Sequence, residues 1–307
     1  MRSKQLIIKG QIIMKKLKYI SIFAAATLIY AAISCKKEGS YPLTETPPLD
    51  FKSYYNGLTV TFANHTKNAT GITWDFGDKT SEATGDSVVH NYSATGNYLI
   101  SMTGVVGGET YVMHTVLRVD KPSVVKLNDQ SFDDWDGVNY PDFQLEGTDH
   151  VIKGKVDYDA NYVYIYLEYG TDETNGLATL DGAVMDLYMD VDNSLSTGFS
   201  SSIGADLLYE GNIPTDWFDF YSFSGTDQSA WAWTGPYPIE NAIMKGYTEE
   251  GTDFVRMEFG LSRDALKISK DVFAFQLTLN YSDWSGEIGS LSKDHNTRIE
   301  VQMNKQE

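Results

Sequence analysis

One cysteine, Cys35, stands in the 307 residues, so the chain cannot close an internal disulfide. Basic side chains are scarce as well. Twenty-four Lys and Arg face 42 Asp and Glu, a net charge of −18, which disfavours nucleic acid and anionic lipid headgroups as partners. No apolar run is long enough to span a bilayer; the longest, Tyr19–Ile33, is too short for a transmembrane helix. The signatures of catalysis are missing too. The five histidines are scattered, and there is no metal-hydrolase His pair, no Gly-x-Ser-x-Gly elbow and no cysteine placed as a nucleophile. Acidic pairs abound, but in so acidic a chain their presence does not argue for glycosidase chemistry. The expectation is a protein that is not an enzyme.

The first residues read as a targeting segment. Lys15, Lys16 and Lys18 precede the apolar run, a basic-then-apolar pattern of a secretory signal, with Met14 the better translation start. The run closes in Ala32-Ile33-Ser34-Cys35, which resembles the lipobox of bacterial lipoproteins. That resemblance implies that residues 1–34 are removed and that Cys35 is lipidated and anchors the chain to the cell outer membrane. Residues 35–48 then form a lipidated tether, almost free of apolar residues and ending in Pro47-Pro48, with a reach of roughly 45 Å when extended.

Charge divides the rest of the chain in two. Residues 36–122 carry 7 basic and 9 acidic side chains, whereas residues 123–307 carry 11 and 33, a net of −22. Short alternating strands with Gly and Asp at the corners mark residues 49–122 as a small sandwich. The stretches Val60-Thr-Phe62-Ala-Asn64, Thr73-Trp74-Asp75-Phe76-Gly77-Asp78 and His90-Asn-Tyr92 resemble those of a PKD domain, an immunoglobulin-like fold. The role this implies is a spacer or adhesion module. Trp74 and Phe76 are expected in its core, and Asp75 and Asp78 on turn amides.

Residues 123–307 read as one larger antiparallel β-sandwich, so the whole chain is expected to be all-β. Strands are predicted at Val151–Val156, Tyr162–Tyr169, Val184–Val191, Ala205–Glu210, Phe218–Phe223, Phe254–Leu261 and Phe273–Tyr281, with a brief helix at Ser262–Leu266. The pieces Asp129–Trp135, read as an opening strand, Tyr158–Tyr166, the Asp-Val-Asp-Asn corner and Val255–Leu266 together resemble family 9-type carbohydrate-binding modules and the wider DOMON-like group. The resemblance implies sugar rings stacked on aromatic faces, with Asp, Asn, Gln and Arg on the hydroxyls. The expected partner is a polysaccharide or oligosaccharide, beside outer-membrane uptake proteins. A structural or adhesive lipoprotein that contacts only proteins is the alternative.

The larger sandwich holds two groups of candidate site residues. Asp190, Asp192, Asn193 and Asp206 gather oxygens around one strand-loop-strand corner, as a hard cation such as calcium requires; the same composition also makes a solvated turn. Trp231 and Trp233, two apart and bounded by Gly225, Pro236 and Pro238, share a face if extended. With Tyr237, Trp284, Asp283 and Asn280 they form the candidate carbohydrate platform. Buried packing is the competing reading for each tryptophan. Trp217 sits in an aromatic run and reads as core at least as readily, and Trp135 is expected buried.

Overall fold

A computed structural model describes residues 48–138, 145–146, 150–170, 183–292 and 297–303, nearly all in the compact unit Asp50–Glu307. Residues 1–47, with Cys35, the expected signal segment and nearly all of the expected tether, lie outside the described residues. Among the described residues no helix is long and apolar enough to cross a membrane.

The N-terminal part is a two-sheet antiparallel sandwich. Strands β1 (Phe51–Asn56), β2 (Thr59–Asn64) and β5 (Ser87–Asn91) make a sheet of order β1-β2-β5. Strands β3 (Thr70–Asp75), β4 (Ala83–Thr84), β6 (Gly96–Val106) and β7 (Glu109–Val119) make the other, of order β4-β3-β6-β7. Alternation sends Val60 and Phe62 of β2, Trp74 of β3 and Ile100 and Met102 of β6 inward, all fully buried. The Trp74 ring lies 5.2 Å from Phe51 and 5.6 Å from Phe62, and its indole N–H donates to the Gly85 carbonyl at 2.8 Å. The Asp75 and Asp78 carboxylates accept from the Gly77 and Thr80 amides at 2.9 and 3.1 Å, as turn residues should. Gly77 has φ +73°, and a Cβ there would sit 2.5 Å from the Leu99 carbonyl oxygen; only glycine fits.

The C-terminal part is a larger sandwich. One sheet has the order β15-β16-β10-β9-β8, from β8 (Leu145–Glu146), β9 (Val151–Tyr158), β10 (Tyr162–Gly170), β15 (Ile243–Glu250) and β16 (Phe254–Ser262). The other has the order β14-β13-β12-β11-β17-β18, from β11 (Ala183–Asp190), β12 (Leu207–Asn212), β13 (Trp217–Phe223), β14 (Trp233–Tyr237), β17 (Val272–Tyr281) and β18 (Glu287–Ser290). A last strand, β19 (Ile299–Gln302), also pairs with β17. Val163, Ile165 and Leu167 of the first sheet meet Met185, Leu187, Met189, Phe275 and Leu277 of the second in one core. Burial of this apolar layer is the main stabilising term, about 1.5–3 kcal/mol for each such side chain.

Two expectations about local structure need correction. Asp129–Trp135 is not a strand: it is a turn followed by a 3-10 helix, Asp133–Gly137. Its Trp135 is buried as expected, because it plugs the outer side of β10 and donates its indole N–H to Glu258 at 2.7 Å. Ser262–Leu266 is not a helix but a hydrogen-bonded turn, closed by the Leu266 amide on Ser262 and the Ile268 amide on Arg263.

Buried charge joins the two sandwiches. Arg263 donates to Asp120 at 2.8 Å and to the Asp159 carbonyl at 2.6 Å, with both ionic side chains almost fully buried. Lys121 and Ser123 both donate to Asp157, which is itself buried. The end of β7 is thus held against the β9–β10 turn.

Candidate functional site: the outward face of the larger sheet

Period-two alternation in β11 turns Met185, Leu187 and Met189 into the core and leaves Val184, Asp186, Tyr188 and Asp190 on the outward face. Register then decides what stands beside them. Asp186 pairs with Thr278 of β17 on one side and Glu210 of β12 on the other, and Glu210 pairs with Asp219 of β13. Three carboxylates therefore form one row across adjacent strands, about 4.8 Å apart per strand. The next row holds Gln276, Tyr188, Leu208 and Tyr221. None of the described outward positions on β11, β12, β13 and β17 is Lys or Arg.

Crowding of like charges changes their protonation. Asp186, 7% exposed, is pushed up to about 7, first by burial and then by the neighbouring Glu210. Glu210 is raised by burial and by Asp219. Asn280 donates to one Asp186 oxygen at 3.1 Å, while the other, Oδ1, is buried with no hydrogen-bond partner.

Aromatic side chains flank this polar field at both ends. At the end near Asp190, the Phe199 ring lies 5.4 Å from Trp231 and 5.5 Å from Trp233, and Trp233 is 5.5 Å from Phe223 and 6.2 Å from Tyr188. Trp231 is 64% exposed and meets Trp233 edge-on at 6.1 Å; the Trp233 indole N–H is buried and unpaired. A depression beside them is lined by Phe199, Ser200, Asp227, Gln228 and Ser229. At the other end Trp217 and Trp284, 46% and 53% exposed, line a depression of about 520 Å³ with Asn212, Thr215 and Ser282.

The single platform expected from the sequence is thus divided. Trp231 and Trp233 are together; Trp284 belongs to the opposite end, with Trp217. Tyr237 does not join either group: its hydroxyl bonds Ser222 and its ring packs on the core. Asp283 closes its own turn by accepting from the Ser285 amide at 3.0 Å, and Asn280 serves Asp186. Trp217, Phe199, Asp186, Glu210 and Asp219 were not singled out for this site. The alternation in Trp217-Phe-Asp219-Phe-Tyr221-Ser-Phe223, with Phe220 inward, carries the signal that places Trp217 outside.

The acidic corner assembles as expected in outline. Carboxylate oxygens of Asp190, Asp192 and Asp206 lie within 4.8 Å of one another. Gly198 and Gly204 make the tight loop possible, since a Cβ on Gly198 would lie 2.4 Å from the Gly204 carbonyl oxygen. Burial raises the carboxyls of Asp190 and Asp206. Much of the oxygen set already has partners, however. Asp206 accepts from the Val191 amide at 3.0 Å, Asp190 from the Ser194 amide at 3.2 Å. Arg298 reaches in from beside β19, contacting Asp190 and donating to Asn193 at 3.2 Å. Arg298 supplies positive charge to Asp190 and Asn193, whereas Asp192 and Asp206 are bonded by the Thr197 hydroxyl and by the Val191 and Asp192 amides and have no cationic partner among the described residues.

Comparison with known proteins bears mainly on the N-terminal sandwich. The family model described as a PKD domain matches residues 53–108. Among solved structures, the PKD1 domain of Vibrio anguillarum Epp is 23% identical, covering 25% of this chain and 98% of that one, with a TM-score of 0.23. The PKD1 domain of the Vibrio cholerae metalloprotease PrtV is also 23% identical, covering 25% and 99%, with a TM-score of 0.23. A structure of carbohydrate-binding modules from the β-sandwich superfamily is 14% identical, covering 72% of this chain and 93% of that one, with a TM-score of 0.22. No curated protein matches the chain.

Proposed function

We propose that the chain is a non-catalytic glycan-binding protein, lipid-anchored through Cys35, whose PKD-like sandwich spaces a carbohydrate-binding sandwich from the outer membrane. The observation that carries the reading is the outward face of the larger sheet. It combines exposed tryptophans with the partly exposed hydroxyl and carboxyl groups of Tyr188, Tyr221, Glu210 and Asp219. Pyranose rings need that mixture, because their C–H faces are apolar and their rims polar. Exposing Trp217, Trp231 and Trp284 would otherwise leave large apolar side chains in water without return. The place of the protein would be polysaccharide capture beside outer-membrane uptake proteins. Calcium, held by Asp192 and Asp206 with Asp190 and Asn193 behind them, would then brace the loop that carries Phe199.

One preparation tests anchor and ligand together. The parent chain is expected in the membrane fraction and Cys35→Ala in the soluble fraction. Affinity electrophoresis of the soluble chain through gels containing xylan, mannan, laminarin or hydroxyethylcellulose should show retardation in at least one. Full mobility in every gel would refute glycan capture, and unchanged fractionation of Cys35→Ala would refute the anchor.

A further inference from the structure

The two tryptophan groups stand on the same face of one strand. Trp217, Asp219, Tyr221 and Phe223 alternate with the buried Phe220, so Trp217 opens the outward face of β13 and Phe223, packed on Trp233, closes it. They stand six positions apart, a distance of about 20 Å along an extended strand. Between them lie the polar rows of the sheet: Asp219 and Tyr221 on β13, Glu210 on β12 and Tyr188 on β11 are partly exposed, and Asp186 and Gln276 are buried beside them. A span of about 20 Å is several pyranose units, more than one ring or one chain end would occupy.

We infer that this face holds an extended internal stretch of an uncharged polysaccharide, gripped at one end by Trp231 and Trp233 and at the other by Trp217 and Trp284, with the carboxylate row between them. The inference rests on the glycan-binding reading and adds the length and charge of the bound chain. Length follows from geometry: two aromatic grips on one face cannot both be met by a disaccharide. Charge follows from composition. Glu210 and Asp219 stand side by side, partly exposed, with no cation among the described outward positions of their strands, and Arg298 at the corner is already engaged by Asp190, Asn193 and Glu300. A uronate or sulfate laid across that row would meet like charge in a partly desolvated site. Hydroxyls, in contrast, can donate to the partly exposed carboxylates of Glu210 and Asp219. The grips are linked by one rigid sheet, so a ligand that reaches both gains the second contact without a new association step.

The test uses the full chain and calorimetric titration with xylo-, manno-, laminari- and cello-oligosaccharides from disaccharide to hexasaccharide, together with polygalacturonate. Affinity should climb with length by about a hundredfold between the shortest and longest ligand of the best series, then level off. Polygalacturonate should not bind. Trp217→Ala and Trp231→Ala, at opposite ends, should each weaken the hexasaccharide roughly thirtyfold while leaving disaccharide binding at the intact end. A hexasaccharide no tighter than the disaccharide would overturn the inference, as would loss of binding at one end only, or polygalacturonate binding as well as the neutral ligands. The length series on the parent chain stands even if a variant misfolds. If the parent chain binds neutral polysaccharide with a flat length series, the inference falls and glycan binding stands. If it binds none, both fall.

Discussion

In the N-terminal sandwich the one tryptophan, Trp74, is fully buried and hydrogen-bonded, and the tyrosine hydroxyl of Tyr92 reaches the Phe76 carbonyl at 3.2 Å. In the C-terminal sandwich only Trp135 of five tryptophans is fully buried; Trp217, Trp231 and Trp284 are about half exposed or more. Every buried side-chain polar atom without a partner among the described residues, including Asp186 Oδ1 and Trp233 Nε1, lies in this second sandwich or its opening segment. The same architecture thus serves two ends. The N-terminal sandwich leaves no buried side-chain polar atom unpaired among its described residues. The second sandwich leaves polar groups unpaired, two of them, on Asp186 and Trp233, on the outward face that carries the exposed rings.

The contrast can be broken most directly at the tryptophans. Trp74→Ala should cost about 3–5 kcal/mol and unfold the N-terminal sandwich, since it removes the centre of an aromatic cluster and the donor to Gly85. Trp231→Ala should change stability by less than about 0.5 kcal/mol. Chemical denaturation followed by circular dichroism measures both; equal losses would mean that Trp231 is core.

Asp186 sharpens the comparison through pH. Its carboxyl titrates at about 7 in the folded chain, well above its ordinary value, because of burial and Glu210. The folded state therefore holds a proton that the unfolded state has already released, and stability is lost as pH rises from about 4 through 7. Asp186→Asn keeps the amide partner Asn280 and removes the titration. It should be more stable than the parent by roughly 2–4 kcal/mol at pH 8 and no more stable at pH 4. Parallel pH–stability curves for parent and variant would show that Asp186 is not the group responsible.

Calcium should act on one sandwich and leave the other untouched. Saturation a hundredfold above the dissociation constant adds about 2.7 kcal/mol to the C-terminal sandwich alone, raising its melting temperature by roughly 5–10 °C. The PKD-like transition should stay in place. Identical melting in calcium and in chelator would leave Asp192 and Asp206 as turn residues, with Arg298 the only cation of the corner.

Much of the architecture was legible because alternation is a local signal. Val60 and Phe62, Met185 and Leu187, and Phe273, Phe275 and Leu277 announce strands and their inward faces within a few residues. The strands that escaped notice lack that signal. Edge strand β15, Ile-Met-Lys-Gly-Tyr-Thr-Glu-Glu, is only partly covered along its length, and β18 and β19 are four residues each. Asp129–Trp135 resembles an opening strand by residue type alone, with no alternation to support it, and it folds as a turn and a 3-10 helix.

The sequence by itself determined the all-β class, the PKD-like segment around Trp74-Asp75-Phe76-Gly77-Asp78 and the acidity of residues 123–307. It could not determine which residues meet. That Arg298 enters the Asp190 corner from 108 residues away, that Trp135 bonds Glu258 across 123, and that Trp284 faces Trp217 and not Trp231 are consequences of strand order and register. A period of two says which side of a strand a residue faces. Only the pairing of β11 with β12 and β17, set by burial of the whole sheet, says which residue stands beside it, and a slip of one position would turn Asp186 and its neighbours into the core.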